Sequence, residues 1–146
     1  MKIALLGYGK MGKEIEKISL DRGHSISTII DKEDLVDKLT NCDVAINFST
    51  PDSAINNIKL SLDSSVPIVS GTTGWLENYD DIVEYAKKTN TSFMYSSNYS
   101  LGVNLFFELN KKLSTLVGNY KDYDINIEEI HHKQKLDKPS GCLLYT

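Results

Sequence analysis

Lys2-Ile3-Ala4-Leu5-Leu6 is a short, nearly unbroken apolar run ended by Gly7, the pattern of a strand buried on both faces of a parallel sheet. It predicts a first strand in the sheet interior. From Lys10 to Arg22 the pattern lengthens: Met11, Ile15 and Ile18 fall at i, i+4 and i+7 with charges between them, and Gly23 follows as a C′ residue. That is the signature of an amphipathic helix and its stop. Ile26, Ile29 and Ile30 lead to Asp31 in a second strand, Leu35 to Leu39 predict a short helix, and Val44-Ala45-Ile46-Asn47-Phe48 is a third strand. Strands alternating with helices in this order predict an α/β fold with a doubly wound parallel sheet.

The unit then repeats. Thr50 is placed to cap a helix and Pro51 to occupy its first position, with Ala54, Ile55, Ile58 and Leu62 forming the apolar face. Val66 to Val69 is a fourth strand. A helix carrying Ile82, Val83 and Ala86 follows, then a fifth strand at Ser92 to Tyr95. Beyond Ser96 the pattern changes. Val103, Phe106, Phe107, Leu113 and Val117 predict a long helix over 102–117, stopped by Gly118. Tyr123, Ile125 and Ile127 alternate with Asp124, Asn126 and Glu128, which predicts a strand of a different, antiparallel sheet with one face wet. The expected organisation is a nucleotide-binding domain over 1–99 and, over 100–146, the beginning of a mixed α+β substrate domain. Sixteen residues after Ile130 are too few for the remaining strands such a sheet needs.

Composition narrows the function more than the fold. A chain of 146 residues, 40% apolar and 25% charged, hides about 70% of its unfolded surface on folding, enough for one good core. The net charge is −4, and sixteen basic residues, all Lys except Arg22, are scattered among twenty acidic ones. A nucleic-acid partner is not expected. Cys42 and Cys142 are far apart with no C-x-x-C spacing, so neither a metal site nor a disulfide framework is expected. The first apolar run is too short for a signal peptide and no run approaches the length of a membrane span. No membrane partner and a reducing, cytoplasmic location are the resulting expectations.

Gly7-Tyr8-Gly9-Lys10-Met11-Gly12 reads G-x-G-x-x-G between a predicted strand and a predicted helix. Glycines in that place allow a tight turn and let backbone approach a pyrophosphate, whose charge suits a helix N-terminus. Asp31 falls nineteen positions after Gly12, at the end of the second strand, where an acid accepts hydrogen bonds from the adenosine ribose. NADH or NADPH is therefore the expected cofactor. The acid by itself favours NADH, since a carboxylate repels a 2′-phosphate; Lys32 beside it either neutralises that phosphate and permits the use of both, or is a solvated lysine at a helix start. Gly71-Thr72-Thr73-Gly74 and Ser96-Ser97-Asn98-Tyr99-Ser100 follow the fourth and fifth strands, and ligands of open α/β sheets bind at such strand ends. The stretch from Glu129 to Gly141 holds His131, His132, Lys133 and Lys135 before a Pro139-Ser140-Gly141 turn. Imidazoles and a lysine near turn N–H donors can bind a carboxylate and deliver a proton. No third metal ligand lies at suitable spacing from the paired histidines.

These residues resemble the 4-hydroxy-tetrahydrodipicolinate reductase family, the dihydrodipicolinate reductases. The resemblance runs through Gly141 and rests on the strand-G-x-G-K-M-G opening, Phe48-Ser49-Thr50-Pro51, Gly71 to Gly74, Ser97-Asn98-Tyr99-Ser100-Leu101-Gly102-Val103-Asn104, and His131-His132-x-x-Lys135-x-Asp137-x-Pro139-Ser140-Gly141. The last two are far more specific than the glycine loop. The resemblance implies a Rossmann-type domain and a two-domain homotetrameric enzyme of lysine biosynthesis through diaminopimelate. Its reaction reduces a cyclic dicarboxylate by hydride transfer to C4 with loss of the 4-hydroxyl as water, completed by protonation at C3. By motif position, His131 is a proton donor or acceptor and Lys135 the proton donor, while His132, Ser140, Gly141 and Cys142 hold a substrate carboxylate. On the cofactor side the resemblance assigns Gly7, Tyr8, Gly9, Lys10, Met11, Gly12, Asp31, Lys32, Gly71, Thr72, Thr73, Ser96, Ser97, Asn98 and Tyr99.

Two departures qualify the match. Cys142 stands where the family usually has a threonine, and a thiol is the weaker donor. The chain stops at Thr146, well before the family's substrate domain would end, so a C-terminally truncated chain is expected. A non-catalytic NAD(P)-binding remnant of the reductase is the alternative reading.

Overall fold

The computed structural model describes residues 1–31, 34–124, 126–130 and 133. Its contacts divide the chain into two compact units, Met1–Ser96 and Ser97–Thr146.

The first unit is a five-stranded, all-parallel sheet of order β2-β1-β3-β4-β5, formed by β1 (Lys2–Leu6), β2 (Ser25–Ile30), β3 (Val44–Asn47), β4 (Ile68–Ser70) and β5 (Phe93–Tyr95). Helices α1 (Lys10–Asp21), α2 (Pro51–Asp63) and α3 (Tyr79–Thr89) join them. The doubly wound arrangement follows from the alternation, since parallel neighbours need a crossover and a helix supplies it. β1 is interior, and Ile3 through Leu6 are all buried, as the apolar run requires. The core gathers Leu6, Ala45, Ile58, Leu62, Ile68 and Ile82. Trp75 joins it from a 3₁₀ turn at Leu76–Asn78, packed edge-on against Tyr95 with ring centroids 5.3 Å apart.

Local signals explain the helix ends. At the close of α1, Gly23 has φ +76°, its N–H donates to Leu20 O at 2.9 Å, and His24 N–H donates to Ser19 O at 2.9 Å. This is the Schellman pattern expected of glycine at C′. α2 ends the same way with Ser65 at φ +58°, where Val66 N–H reaches Ser61 O at 2.9 Å. Pro51 opens α2 with Thr50 before it, but the Thr50 hydroxyl pairs with Ser53 Oγ at 3.0 Å and makes no bond to the helix backbone.

Four expectations are corrected. The face of α1 that turns inward carries Gly12 and Ser19, whereas Met11 and Ile18 remain about half exposed. Small residues are used there because the helix lies close to the β1 turn. The helix expected at Leu35 to Leu39 is absent. In a helix, Leu39 N–H would bond Leu35 O; instead it donates to Ser64 Oγ at 2.8 Å, which pins buried Leu39 to the end of α2 and leaves Leu35 fully exposed. In the second unit, α4 (Leu101–Val117) begins at Ser100, whose Oγ accepts from Val103 N–H at 3.4 Å. Gly118 follows it with right-handed backbone, φ −59°, so the helix stops without the left-handed glycine expected. Residues 123–124 and 126–130 form no strand, and Ile125 lies outside the described residues. A period-2 segment becomes a strand only when a neighbour takes its backbone donors and acceptors, and among the described residues none does.

Candidate functional site

The carboxyl ends of the strands converge at one edge of the sheet. Gly7 N–H donates to Ile30 O at 2.7 Å, Phe48 N–H to Leu6 O at 2.9 Å, Gly71 N–H to Asn47 O at 2.9 Å, and Ser96 N–H to Ser70 O at 3.2 Å. These bonds extend each ladder one step past its strand and set the turns side by side. A cleft of about 630 Å³ opens there. It is lined by Gly7, Tyr8 and Gly9 from the first turn, Ile30 and Asp31 from the end of β2, and Phe48, Ser49 and Thr50 from the end of β3.

The three glycines of the first turn are glycine for three different reasons. Gly7 has φ +94°, and a Cβ there would stand 2.3 Å from Phe48 O. Gly12 lies inside the first turn of α1, where a Cβ would stand 2.4 Å from Gly7 O. At Gly9 a Cβ would meet nothing within 4 Å. No internal packing requires glycine at that position, and it borders the cleft. A bare backbone facing open space, just before a helix, suits a group that must come close to it.

Electrostatics point the same way. The first intrahelical bond of α1 runs from Lys13 N–H to Gly9 O at 3.1 Å, so the N–H groups of Lys10, Met11 and Gly12 have no acceptor within the helix. No acidic side chain sits in that first turn. The positive end of the helix dipole is left available to an anion. Tyr8 is half-buried beside it; its hydroxyl donates to Glu16, and Lys13 Nζ lies 5.8 Å from the ring centroid. The hydrogen bond to the Glu16 carboxylate, more than burial or charge, holds the Tyr8 phenol above its usual pKa.

Beneath the cleft is a polar network that periodicity does not reveal. Asn47, fully buried at the end of β3, donates from Nδ2 to Ser70 Oγ at 3.0 Å and accepts at Oδ1 from Asn57 Nδ2 at 3.2 Å. Asn57 lines the cleft, so β3, β4 and α2 are tied together directly below it. Thr72 is buried as well. Its Oγ1 accepts from Ser49 N–H at 2.9 Å and its carbonyl from Trp75 Nε1–H at 2.6 Å. A Cβ at Gly71 would stand 2.3 Å from the Phe48 ring.

Of the residues singled out in the sequence, Gly7, Tyr8, Gly9 and Asp31 line this cleft. Lys10, Met11 and Gly12 form the helix start behind it. Gly71 and Thr72 support the Phe48-Ser49 wall from the next turn, and Thr73 is half-buried beside them. Ser96 closes β5 through its bond to Ser70. Ser97, Asn98 and Tyr99 belong to the second unit, where Ser100 N–H donates to Asn98 Oδ1 at 2.8 Å and Asn104 Nδ2 to Asn98 O at 3.0 Å. Lys32, His131, His132, Lys135, Ser140, Gly141 and Cys142 lie outside the described residues. Sequence reasoning missed Ser49, Thr50, Asp34, Asp52 and Asn57 as lining residues. The available signal was that Phe48-Ser49-Thr50 and Asp34 follow strand ends, as Gly7 and Asp31 do.

A parallel sheet with this order and a three-glycine turn beside an acid that ends β2 defines a doubly wound, dinucleotide-binding type of fold. The chain belongs to the dihydrodipicolinate reductase family: the model of the family's N-terminal part matches residues 1–99 and that of its C-terminal part residues 102–146. It is 52% identical over 99% of its length to a 4-hydroxy-tetrahydrodipicolinate reductase of Christiangramia forsetii, and 38% identical over 98% to one of Clostridium novyi. The chain spans 61% of each of these curated relatives. In structure it resembles a dipicolinate-bound dihydrodipicolinate reductase from Paenisporosarcina, with TM-score 0.67 and 24% identity over 99% of this chain and 63% of that one. The fold is also similar to that of an aspartate dehydrogenase from Thermotoga maritima, with TM-score 0.53 and 12% identity over 76% of this chain and 52% of that one. No described helix is long and apolar enough to cross a membrane.

Proposed function

We propose that the protein reduces 4-hydroxy-tetrahydrodipicolinate to tetrahydrodipicolinate with loss of water, using NADH or NADPH, in lysine biosynthesis through diaminopimelate. The observation that carries the reading is Gly9, a bare backbone bordering the cleft at the helix N-terminus, in a chain whose family matches along both halves. The reductase activity for which the relatives are named and the dipicolinate held by the Paenisporosarcina protein support a dicarboxylate substrate.

A reduced nicotinamide supplies the hydride when bound. Gly7 to Gly12 and the N–H groups opening α1 would hold its pyrophosphate, Asp31 and Lys32 its adenosine ribose, and Gly71 to Thr73 with Ser96 to Tyr99 the nicotinamide end. Thr72 contributes by fixing Ser49, whose backbone N–H its hydroxyl oxygen accepts. His132, Ser140, Gly141 and Cys142 would grip a substrate carboxylate. Lys135 delivers the proton at C3 and His131 donates or accepts alongside it. An ammonium and an imidazole beside a dianionic substrate are sensible acids, although anions nearby also raise the proton affinity of such groups. A homotetramer and a cytoplasmic location complete the reading, by likeness to the family.

The test is oxidation of NADH and NADPH by the purified chain, with substrate generated from pyruvate and aspartate semialdehyde by the preceding synthase. Turnover above background is expected, and Lys135→Ala should lower kcat by about 10²-fold or more while nucleotide affinity stays near wild type. Absence of turnover contradicts the activity; an unchanged kcat in Lys135→Ala contradicts the role of the lysine.

A further inference from the structure

β2 ends at Ile30 with Asp31 directly after it, and three residues later the chain bonds back to Asp31 twice. Asp31 N–H donates to Asp34 Oδ2 at 2.9 Å, and Asp34 N–H donates to Asp31 O at 3.1 Å. The first is the return half of a capping box and the second a backbone turn bond, yet residues 34–40 form no helix. What the pair of bonds does here is hold a second carboxylate in the cleft beside the first. Asp31 and Asp34 both line the space bordered by Gly7 and Gly9.

The charge balance of that space is one-sided. Its described lining includes Asp31, Asp34 and Asp52 and no lysine or arginine. Asp52 stands in the first turn of α2, where the helix dipole offsets it. Asp34 has no such helix behind it. In sequence, Asp31-Lys32-Glu33-Asp34 carries three acids to one lysine, so Lys32 does not reverse the sign.

Resting on the nucleotide reading above, we propose that Asp34 is a specificity residue of the cofactor site, which disfavours a phosphate on the 2′-hydroxyl of the adenosine ribose and biases the chain toward NADH. The division of labour is chemical. Asp31, at the strand end, serves the ribose hydroxyls as an acceptor. Asp34, fixed by a charge-assisted bond to the Asp31 N–H, adds a negative charge that a free hydroxyl tolerates and a phosphate dianion does not. The carboxylates of Asp31 and Asp34 in one cleft repel such a dianion, whereas a free hydroxyl carries no charge to repel.

Asp34→Asn tests this cleanly, because an amide oxygen still accepts from Asp31 N–H while the charge is gone. Dissociation constants for NADH and NADPH are measured by nicotinamide fluorescence for wild type, Asp34→Asn and Asp34→Ala at low and high salt. Wild type is expected to bind NADH more tightly, with the gap narrowing as salt screens the repulsion. Asp34→Asn should shift the NADPH to NADH affinity ratio about tenfold toward NADPH. A ratio unchanged in Asp34→Asn, or changed only in Asp34→Ala, assigns Asp34 a purely structural role and overturns the proposal. Wild type preferring NADPH also overturns it. Wild type binding neither nucleotide contradicts the cofactor reading itself, and the proposal with it.

Discussion

A Cβ on Gly7 would stand 2.3 Å from the carbonyl oxygen of Phe48. The end of β1 and the end of β3 are therefore locked at backbone contact, and the cleft is built on that lock. Gly7→Ala meets both this clash and a φ of +94° that an L side chain rarely adopts. The substitution is expected to lower unfolding free energy by about 2 kcal/mol or more. Chemical denaturation followed by the fluorescence of Trp75, the one tryptophan, reads it; an unfolding midpoint equal to wild type would show that the turn can relax.

Asn47 makes two side-chain hydrogen bonds in the core, to Ser70 and Asn57. Asn47→Ala removes both and leaves a void, and is expected to cost about 2 kcal/mol or more, whereas Ser70→Ala, which removes the acceptor of the Asn47 amide, costs about 1 kcal/mol. The same denaturation series checks the order. Equal costs would mean that the Asn57 arm contributes nothing.

The Tyr8 phenol donates to Glu16 and titrates above its ordinary value. For a group whose pKa is raised on folding, the linked stabilisation is present below the unfolded value, about 10 for tyrosine, and is lost as pH rises through the folded value. Glu16→Gln should bring the Tyr8 titration down, seen as phenolate absorbance appearing at lower pH and assigned by its absence in Tyr8→Phe. Superimposable alkaline titrations of wild type and Glu16→Gln would show that the bond is not formed in solution.

Much of the sheet was legible because its signals are local and redundant. A continuous apolar run at Ile3 to Leu6, glycine after each of two strands, and Pro51 at a helix start all agree with the parallel fold they serve. The misreadings arose where a distant partner decides. Leu35 to Leu39 has helical spacing, but Ser64 takes the Leu39 N–H from another element. Met11 and Ile18 look like a core face, but α1 sits close to the first turn through Gly12. Tyr123 to Ile127 carries a strand period without a ladder among the described residues. At the site, Gly9 and Asp31 were legible from spacing, while Asn57 and Asp34 became visible only once strand ends and α2 were brought together. His131, Lys135 and the carboxylate-binding turn rest on motif resemblance.

The most direct measurement is NADH binding to Gly9→Val, set beside its unfolding midpoint. Gly9 has extended backbone, φ −77° and ψ −156°, and a Cβ there meets nothing within 4 Å, so the loss of stability should be limited to about 1 kcal/mol, the cost of replacing a favourable N-cap residue. The account predicts that NADH affinity nevertheless falls roughly tenfold or more, an energy of at least about 1.4 kcal/mol, because the added side chain takes the space of the pyrophosphate. A folded Gly9→Val that binds NADH as tightly as wild type would contradict the claim that this cleft is the cofactor site.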